Sequence, residues 1–505
     1  MSSKKIRTIL IALLVLLGLA GGGYALVDHL KKQEEQAALA EAAALKLFSF
    51  DSNAVESVEI TNPDGHFKID KQTEGWTLTE TDFPHKFVLN TYYLNVINST
   101  MSGLTALQKI EADPSQSSAY GLDDPVIISC QAGGETYTLH IGTCSVTKDC
   151  YYVSIPGDPT VYGIDYNSGE GLRGGISYLR SAYMIHDSET KLVSFSLEHN
   201  GETVYDLALD DANTWALQAP YTDVDTDTVK VSTILTELVR IEYSTLETFT
   251  DAPDELAAYG LDKPAYTFRV ATAEEETVLQ FAEFDPNDAV VYAYEPSSGA
   301  VSTLAMRDCG FLTGSWYNLI SEKVLRIPFA NASALDVTVD GKHFTLTMDQ
   351  ENGVYHLDDL EVSSISDEVG AAFEYLYASV SEISTEEIIE SPALPESPVP
   401  ACRFVYTLND GTTRTLELVP VPDDDKTYWA YVDGRCIGQT VRRNALSGTS
   451  GVLNFLEKMT DALADEGITY EPGEAAPASP AADDTETTTD TASTDTTTSG
   501  ESAEA

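Results

Sequence analysis

The heptapeptide Ala119-Tyr120-Gly121-Leu122-Asp123-Asp124-Pro125 returns 139 residues later as Ala258-Tyr259-Gly260-Leu261-Asp262-Lys263-Pro264. Trp76 and Trp215 keep the same separation, inside the strand-like runs WTLTE and WALQA, and Gly174 and Gly314 lie 140 apart in LRGGISYL and LTGSWYNL. Three landmarks in one register mean internal repetition, and a repeat unit buries its core by recurring as one supersecondary block. A third, diverged copy is marked by Tyr355, 140 residues after Trp215, and by Pro400 ahead of the run CRFVYTL. It lacks the heptapeptide and carries the proline-rich stretch ESPALPESPVP at 390–400 instead.

Each copy changes hydrophobic period in the same order. An alternating hairpin comes first, as in Val55 to Ile60, the turn Asn62-Pro63-Asp64-Gly65, and the return from His66 to Asp70. Apolar residues at helical spacing follow: Val96, Met101, Leu104 and Leu107, then Val231, Ile234, Leu238 and Ile241, then Val369, Phe373, Leu376 and Val380. Strand runs then resume, as in VIISCQ, ETYTLHIG, DCYYVSI and TVYGID. The expected fold is α+β: three tandem repeats of an antiparallel β-meander with one covering helix, after an N-terminal transmembrane helix. The expected boundaries are repeat one at 50–187, repeat two at 190–327 and a diverged repeat three at 330–460.

Within the heptapeptide, Gly121 and Gly260 are expected to supply a backbone conformation closed to residues with a Cβ, and Leu122 and Leu261 to bury. Asp123 and Asp262 are expected to accept turn hydrogen bonds, with Pro125 and Pro264 opening an edge strand. Tyr120 and Tyr259 complete the motif. A binding loop is the alternative, but its absence from the third copy favours a structural role.

The N-terminus fixes the expected compartment. Lys4, Lys5 and Arg7 precede an apolar run reaching Val27, long enough to cross a bilayer with its basic flank in the cytoplasm. Residues 1–30 therefore read as a signal-anchor that meets the membrane through residues 6–27, with a cleaved signal peptide as the alternative. Residues 31–48, rich in Ala, Glu and Gln, read as a helical stalk. Residues 471–505 carry nine acidic side chains, no basic one and no large aliphatic, and read as a disordered tail. The expectation is a single-pass bacterial membrane protein, N-terminus cytoplasmic, bulk of the chain extracytoplasmic. A net charge of −52 excludes a nucleic-acid partner, because phosphate binding needs a Lys/Arg face.

No catalytic, cofactor or metal constellation stands out. Gly169, Gly171 and Gly174 match GxGxxG, as a dinucleotide loop or as helix-entry glycines, the latter being favoured. Asp223, Asp225 and Asp227 open like an EF-hand loop, but Thr228 and Ile234 stand at positions six and twelve, so Asp227 reads better as a helix N-cap. Asp423 to Asp425 read as a hairpin tip. The eight histidines are scattered with no metal-ligand spacing. Cys144 and Cys150 flank a short loop and are the best local candidates for a disulfide, with Cys402 and Cys436 second and free thiols the alternative. Tyrosines gather on the last strands, at Tyr151, Tyr152, Tyr292, Tyr294, Tyr428 and Tyr431, with Trp429, either packing across a sheet or stacking on wall sugars.

The apolar leader, tryptophan hairpin, helix, AYGLDxP and the run ending in YYVSI…TVYGID together resemble the bacterial repeat family called domain of unknown function 4340. That resemblance implies a membrane-anchored extracytoplasmic protein associated with an ABC transporter of the gliding-motility auxiliary type, and assigns no catalytic residue. The expected function is non-enzymatic: a membrane-anchored binding or scaffold protein, accessory to ABC transporter subunits. A cell-wall glycan-binding module is the alternative, followed by an envelope hydrolase.

Overall fold

The computed structural model describes residues 29, 31–36, 39–73, 75–110 and 114–475. The expected membrane span over residues 6–27 lies outside them; among the described residues no helix is long and apolar enough to cross a membrane.

Alternation builds the first sheet. β1 (Val55–Asn62), β2 (Gly65–Gln72) and β3 (Gly75–Thr81) form a meander, followed by helix α1 (Thr91–Ser102) and β4 (Gln108–Ile110). β5 (Val126–Ala132), β6 (Glu135–Cys144), β7 (Cys150–Ser154) and β8 (Val161–Asp165) complete it, in the order β3-β2-β1-β5-β6-β7-β8-β4. β3 and β4 are opposite edges, so the chain between them has to cross a face of the sheet. Helix α1 fits that crossing: Leu94, Ile97 and Met101 are buried in one core with Val58, Ile60, Ile128 and Ile141. Gly103 is the C-cap of α1, so Leu104 and Leu107 fall beyond the helix the spacing predicted; Leu104 is buried and Leu107 is exposed.

The second sheet repeats this plan. β9 (Leu192–His199), β10 (Glu202–Leu209) and β11 (Trp215–Ala219) precede α2 (Thr228–Leu238), then β12 (Thr245–Phe249), β13 (Tyr266–Thr272), β14 (Glu276–Phe281), β15 (Val290–Glu295) and β16 (Ala300–Ala305). Their order, β11-β10-β9-β13-β14-β15-β16-β12, matches the first sheet position for position. Helix α2 ends at Leu238, so Ile241 too lies past its predicted helix.

The third sheet keeps the plan with additions. β17 (Ala332–Val339), β18 (Lys342–Asp349), β19 (Val354–Leu357) and β20 (Leu360–Glu361) lead into α3 (Asp367–Ser381), where Val369, Phe373, Leu376 and Val380 are all buried as the spacing predicted. β21 (Glu387–Ile388), β22 (Cys402–Leu408), β23 (Thr413–Pro420), β24 (Thr427–Val432) and β25 (Gln439–Arg442) follow, in the order β20-β19-β18-β17-β22-β23-β24-β25-β21. Asp340 and Gly341, both at positive φ, make the two-residue turn between β17 and β18. A further helix α4 (Val452–Asp465) adds Leu456, Met459 and Leu463 to this core. β26 (Gly473–Glu474) pairs with β18, so the start of the expected disordered tail is strand; residues 476–505 lie outside the described residues.

The chain divides into two compact units, Met1–Pro220 with Ser232–Ser315, and Tyr221–Val231 with Trp316–Ala505. The first holds two of the sheets and the second holds the third. The expected stalk is helical at 31–36 and 39–45, but its end belongs to the first core: Phe48 is buried, and Phe50 stacks on Tyr137 at 4.3 Å.

Candidate functional site

A cluster of charged and aromatic side chains in the first unit lies where its two sheets meet. The connecting segment is held there by backbone pairing on both flanks. Asn90 N donates to Leu179 O at 2.7 Å and Ser181 N to Val88 O at 2.7 Å on one flank. Met184 N donates to Ile241 O at 2.8 Å and Tyr243 N to Ala182 O at 2.7 Å on the other. This pairing fixes the backbone of Arg180, whose side chain is 6% exposed.

The guanidinium has three partners. It lies 3.2 Å from Glu295 Oε2, donates to Ser302 Oγ at 3.3 Å, and sits over the Tyr243 ring at 4.7 Å. Glu295 also accepts from Ser298 Oγ at 2.8 Å and Ser297 Oγ at 3.2 Å. Burial pushes the Tyr243 phenol up, and partial desolvation holds the surface-exposed His186 below the usual histidine range, with Glu295 opposing and Arg180 reinforcing the latter shift. Beside the pair, His85 stacks on Phe249 at 5.0 Å and its Nδ1 lies 3.0 Å from Ser298 O. Phe83 meets Phe249 edge-on at 5.1 Å. The charges pair with one another between the two sheets of this unit.

The heptapeptides turn out to be loop closures. Gly121 N bonds to Ser118 O and Leu122 N to Ser117 O; Gly260 N bonds to Ala257 O and Leu261 N to Leu256 O. That is a Schellman-type helix end, and both glycines have the left-handed φ it needs, 65° and 72°. Leu261 is buried, whereas Leu122 is half-buried; Asp123 and Asp262 are exposed. Pro125 and Pro264 precede β5 and β13, which are interior strands rather than the expected edges; lying just outside the strands, they cost no ladder bond. Tyr120 packs edge-on against Tyr152 at 5.0 Å, and Tyr259 against Tyr292 at 5.2 Å, so the repeated loop and the tyrosine rows are one packing device. Tyr151, Tyr294, Tyr428, Trp429 and Tyr431 are buried, which removes them as a sugar-stacking surface.

The remaining motifs resolve locally. Gly169 lies in the seven-residue helix Tyr166–Leu172, and a Cβ there would stand 2.3 Å from Tyr151 Cδ2, so close packing explains that glycine. Asp165 accepts from Ser168 N at 2.7 Å and puts a carboxylate where a dinucleotide phosphate would sit. Asp227 caps α2, accepting from Val229 N at 2.9 Å and Lys230 N at 3.2 Å, while Asp223 pairs with Arg435. Asp424 accepts from Lys426 N at 2.8 Å in the β23–β24 turn. The disulfide expected between Cys144 and Cys150 is not formed: all six thiols are free. Cys144 pairs with Tyr151 and shares its face of the sheet, so alternation turns the neighbouring Cys150 to the other face. Cys402 and Cys436 are likewise free. Among the described residues no group of three or more His, Cys, Asp and Glu is placed to hold a metal ion. The Arg180 cluster was missed at the sequence level; its partners are 115 residues apart, and no periodicity links them.

No match is found among curated proteins or among solved structures. The family described as Domain of unknown function (DUF4340) matches twice, over residues 80–255 and 215–397, each match starting in one copy and ending in the next. With one strand order in successive sheets and two overlapping matches that cover more than half its length, the chain belongs to the DUF4340 family.

Proposed function

We propose that this protein is a non-enzymatic, membrane-anchored extracytoplasmic scaffold whose repeated sheets engage protein partners, as an accessory to an ABC transporter. The observation that carries this reading is the recurrence of one strand order in three sheets, with the buried charges of the first unit paired to each other. Repeated blocks multiply surface without adding a reactive centre. The apolar N-terminal run and the excess of acidic residues agree with a soluble body held outside a membrane.

The test is isolation of the full-length protein from membranes in mild detergent. Recovery with a permease or ATPase subunit supports the proposal; a protein that stays in the soluble fraction, or is recovered without either subunit, refutes it. Against the glycan-binding reading, Tyr151, Tyr294, Tyr428, Trp429 and Tyr431 are buried and Tyr152 and Tyr292 half-buried, which favours packing. Sedimentation with purified wall material tests it separately.

A further inference from the structure

The same backbone bridge recurs before each sheet. Lys46 pairs with Thr105, Tyr183 with Glu242, and Lys323 with Ser384. The hydrogen bonds match atom for atom. Leu47 N donates to Leu104 O at 2.9 Å and Ala106 N to Leu45 O at 2.7 Å. Met184 N donates to Ile241 O at 2.8 Å and Tyr243 N to Ala182 O at 2.7 Å. Val324 N donates to Ile383 O at 3.0 Å and Thr385 N to Glu322 O at 2.8 Å. In every case the incoming segment pairs with the short stretch just after the covering helix, which accepts one bond and donates the other.

The incoming segments also share a side-chain rule. An outward bridge residue is followed by two apolar residues that turn inward: Leu47 and Phe48, Met184 and Ile185, Val324 and Leu325. The last two pairs lie in connectors between copies. The first lies in no copy, because it directly follows the helix 39–45.

We infer that each sheet carries a docking slot for an extended segment, and that residues 45–50 are a strap filling the first slot as an inter-copy connector fills the others. The strap is more than a chain passing by. Phe48 is 7% exposed, Leu45 and Leu47 pack on the first core, and Phe50 N donates to Ser102 O at 3.1 Å while its ring stacks on Tyr137. The helix upstream is thereby mounted on the first sheet, with its last turn leading directly into a bridge. On the membrane-anchored reading proposed above, this makes the attachment a fixed mount rather than a loose tether. That consequence rests on that reading; the slot does not.

Amide hydrogen exchange on the full-length protein tests the slot. Leu47 and Ala106 are expected to exchange as slowly as Met184, Tyr243, Val324 and Thr385, since all six amides close equivalent bonds. Phe48→Asp is expected to speed Leu47 and Ala106 by about tenfold or more while leaving the other four slow. Fast exchange at Leu47 and Ala106 in the unmodified protein overturns the inference, and so does retained protection of Ala106 in Phe48→Asp. Should the variant fail to fold, the comparison among the six amides of the unmodified protein decides. Membrane isolation can fail while this pattern holds, and the reverse, so the two ideas fall separately.

Discussion

Arg180, in the segment connecting the first two sheets, and Glu295, 115 positions later at the end of β15, meet at 3.2 Å with the guanidinium 6% and the carboxylate 17% exposed. Taking one partner away leaves a buried charge unpaired, which costs about 3–5 kcal/mol. Glu295→Ala and Arg180→Met are each expected to lower the urea midpoint of the first unit substantially. The double change Arg180→Met with Glu295→Leu is expected to recover part of the loss, because a matched apolar pair carries no desolvation penalty. Single and double variants of equal stability would contradict this pairing.

The two heptapeptide glycines separate backbone strain from crowding. Gly260 has a left-handed φ of 72° but open surroundings, the nearest atom to a built Cβ being Ala282 Cβ at 3.5 Å. Gly121 has the same strain, and a Cβ there would stand 2.8 Å from Thr143 N. Gly260→Ala is expected to cost about 1–2 kcal/mol, and Gly121→Ala clearly more. Chemical denaturation of both variants checks the order.

The tyrosine pairs allow an equivalent measurement in two copies. Double-mutant cycles on Tyr120 with Tyr152, and on Tyr259 with Tyr292, are expected to give coupling energies of about 0.5–1.5 kcal/mol in each. A coupling near zero in both would mean that the repeated tyrosine serves something other than packing.

How far the sequence carries is clear from these residues. The 139-residue separation of Tyr120 and Tyr259 exposes the repeat, and alternation places the meanders, because both are local or periodic signals. Helix ends are less legible: Leu104 and Ile241 keep the helical spacing yet lie past the last turn, where they flank the docking slots. The packing of Tyr120 on Tyr152, the separation of Cys144 from Cys150, and the Arg180 cluster depend on strand register and on two sheets meeting. No single segment encodes those relationships.

His186 gives a pH dependence of defined sign. The ring is exposed at the surface, yet partial desolvation by its neighbours lowers its pKa from the ordinary 6.5, so the unfolded chain takes up a proton more readily than the folded one. The neutral ring's contribution is present above pH 6.5 and is lost as pH falls from there through the lower folded value. Glu295, Arg180, Asp187 and Glu275 face the same ring. Stability measured from pH 7.5 down to 5 is expected to fall less steeply in His186→Gln than in the unmodified protein. Identical slopes would contradict a lowered His186 pKa in the folded chain.

Thiol reactivity follows burial. Desolvation pushes Cys130, Cys309 and Cys402 up to about 12, so these should resist alkylation at pH 8 until the chain unfolds. Half-buried Cys144 and Cys436 should be labelled before the buried thiols. After denaturation without reductant, mass spectrometry is expected to count six reactive thiols.

The most direct measurement is an experimental density map of residues 45–475 that traces every strand. The account predicts eight strands in one order in the first two sheets, the same order recognisable in the third, and a backbone bridge at Lys46, Tyr183 and Lys323. Different strand orders in the sheets that carry Trp76 and Trp215, or a first bridge that is missing while the other two are present, would contradict it.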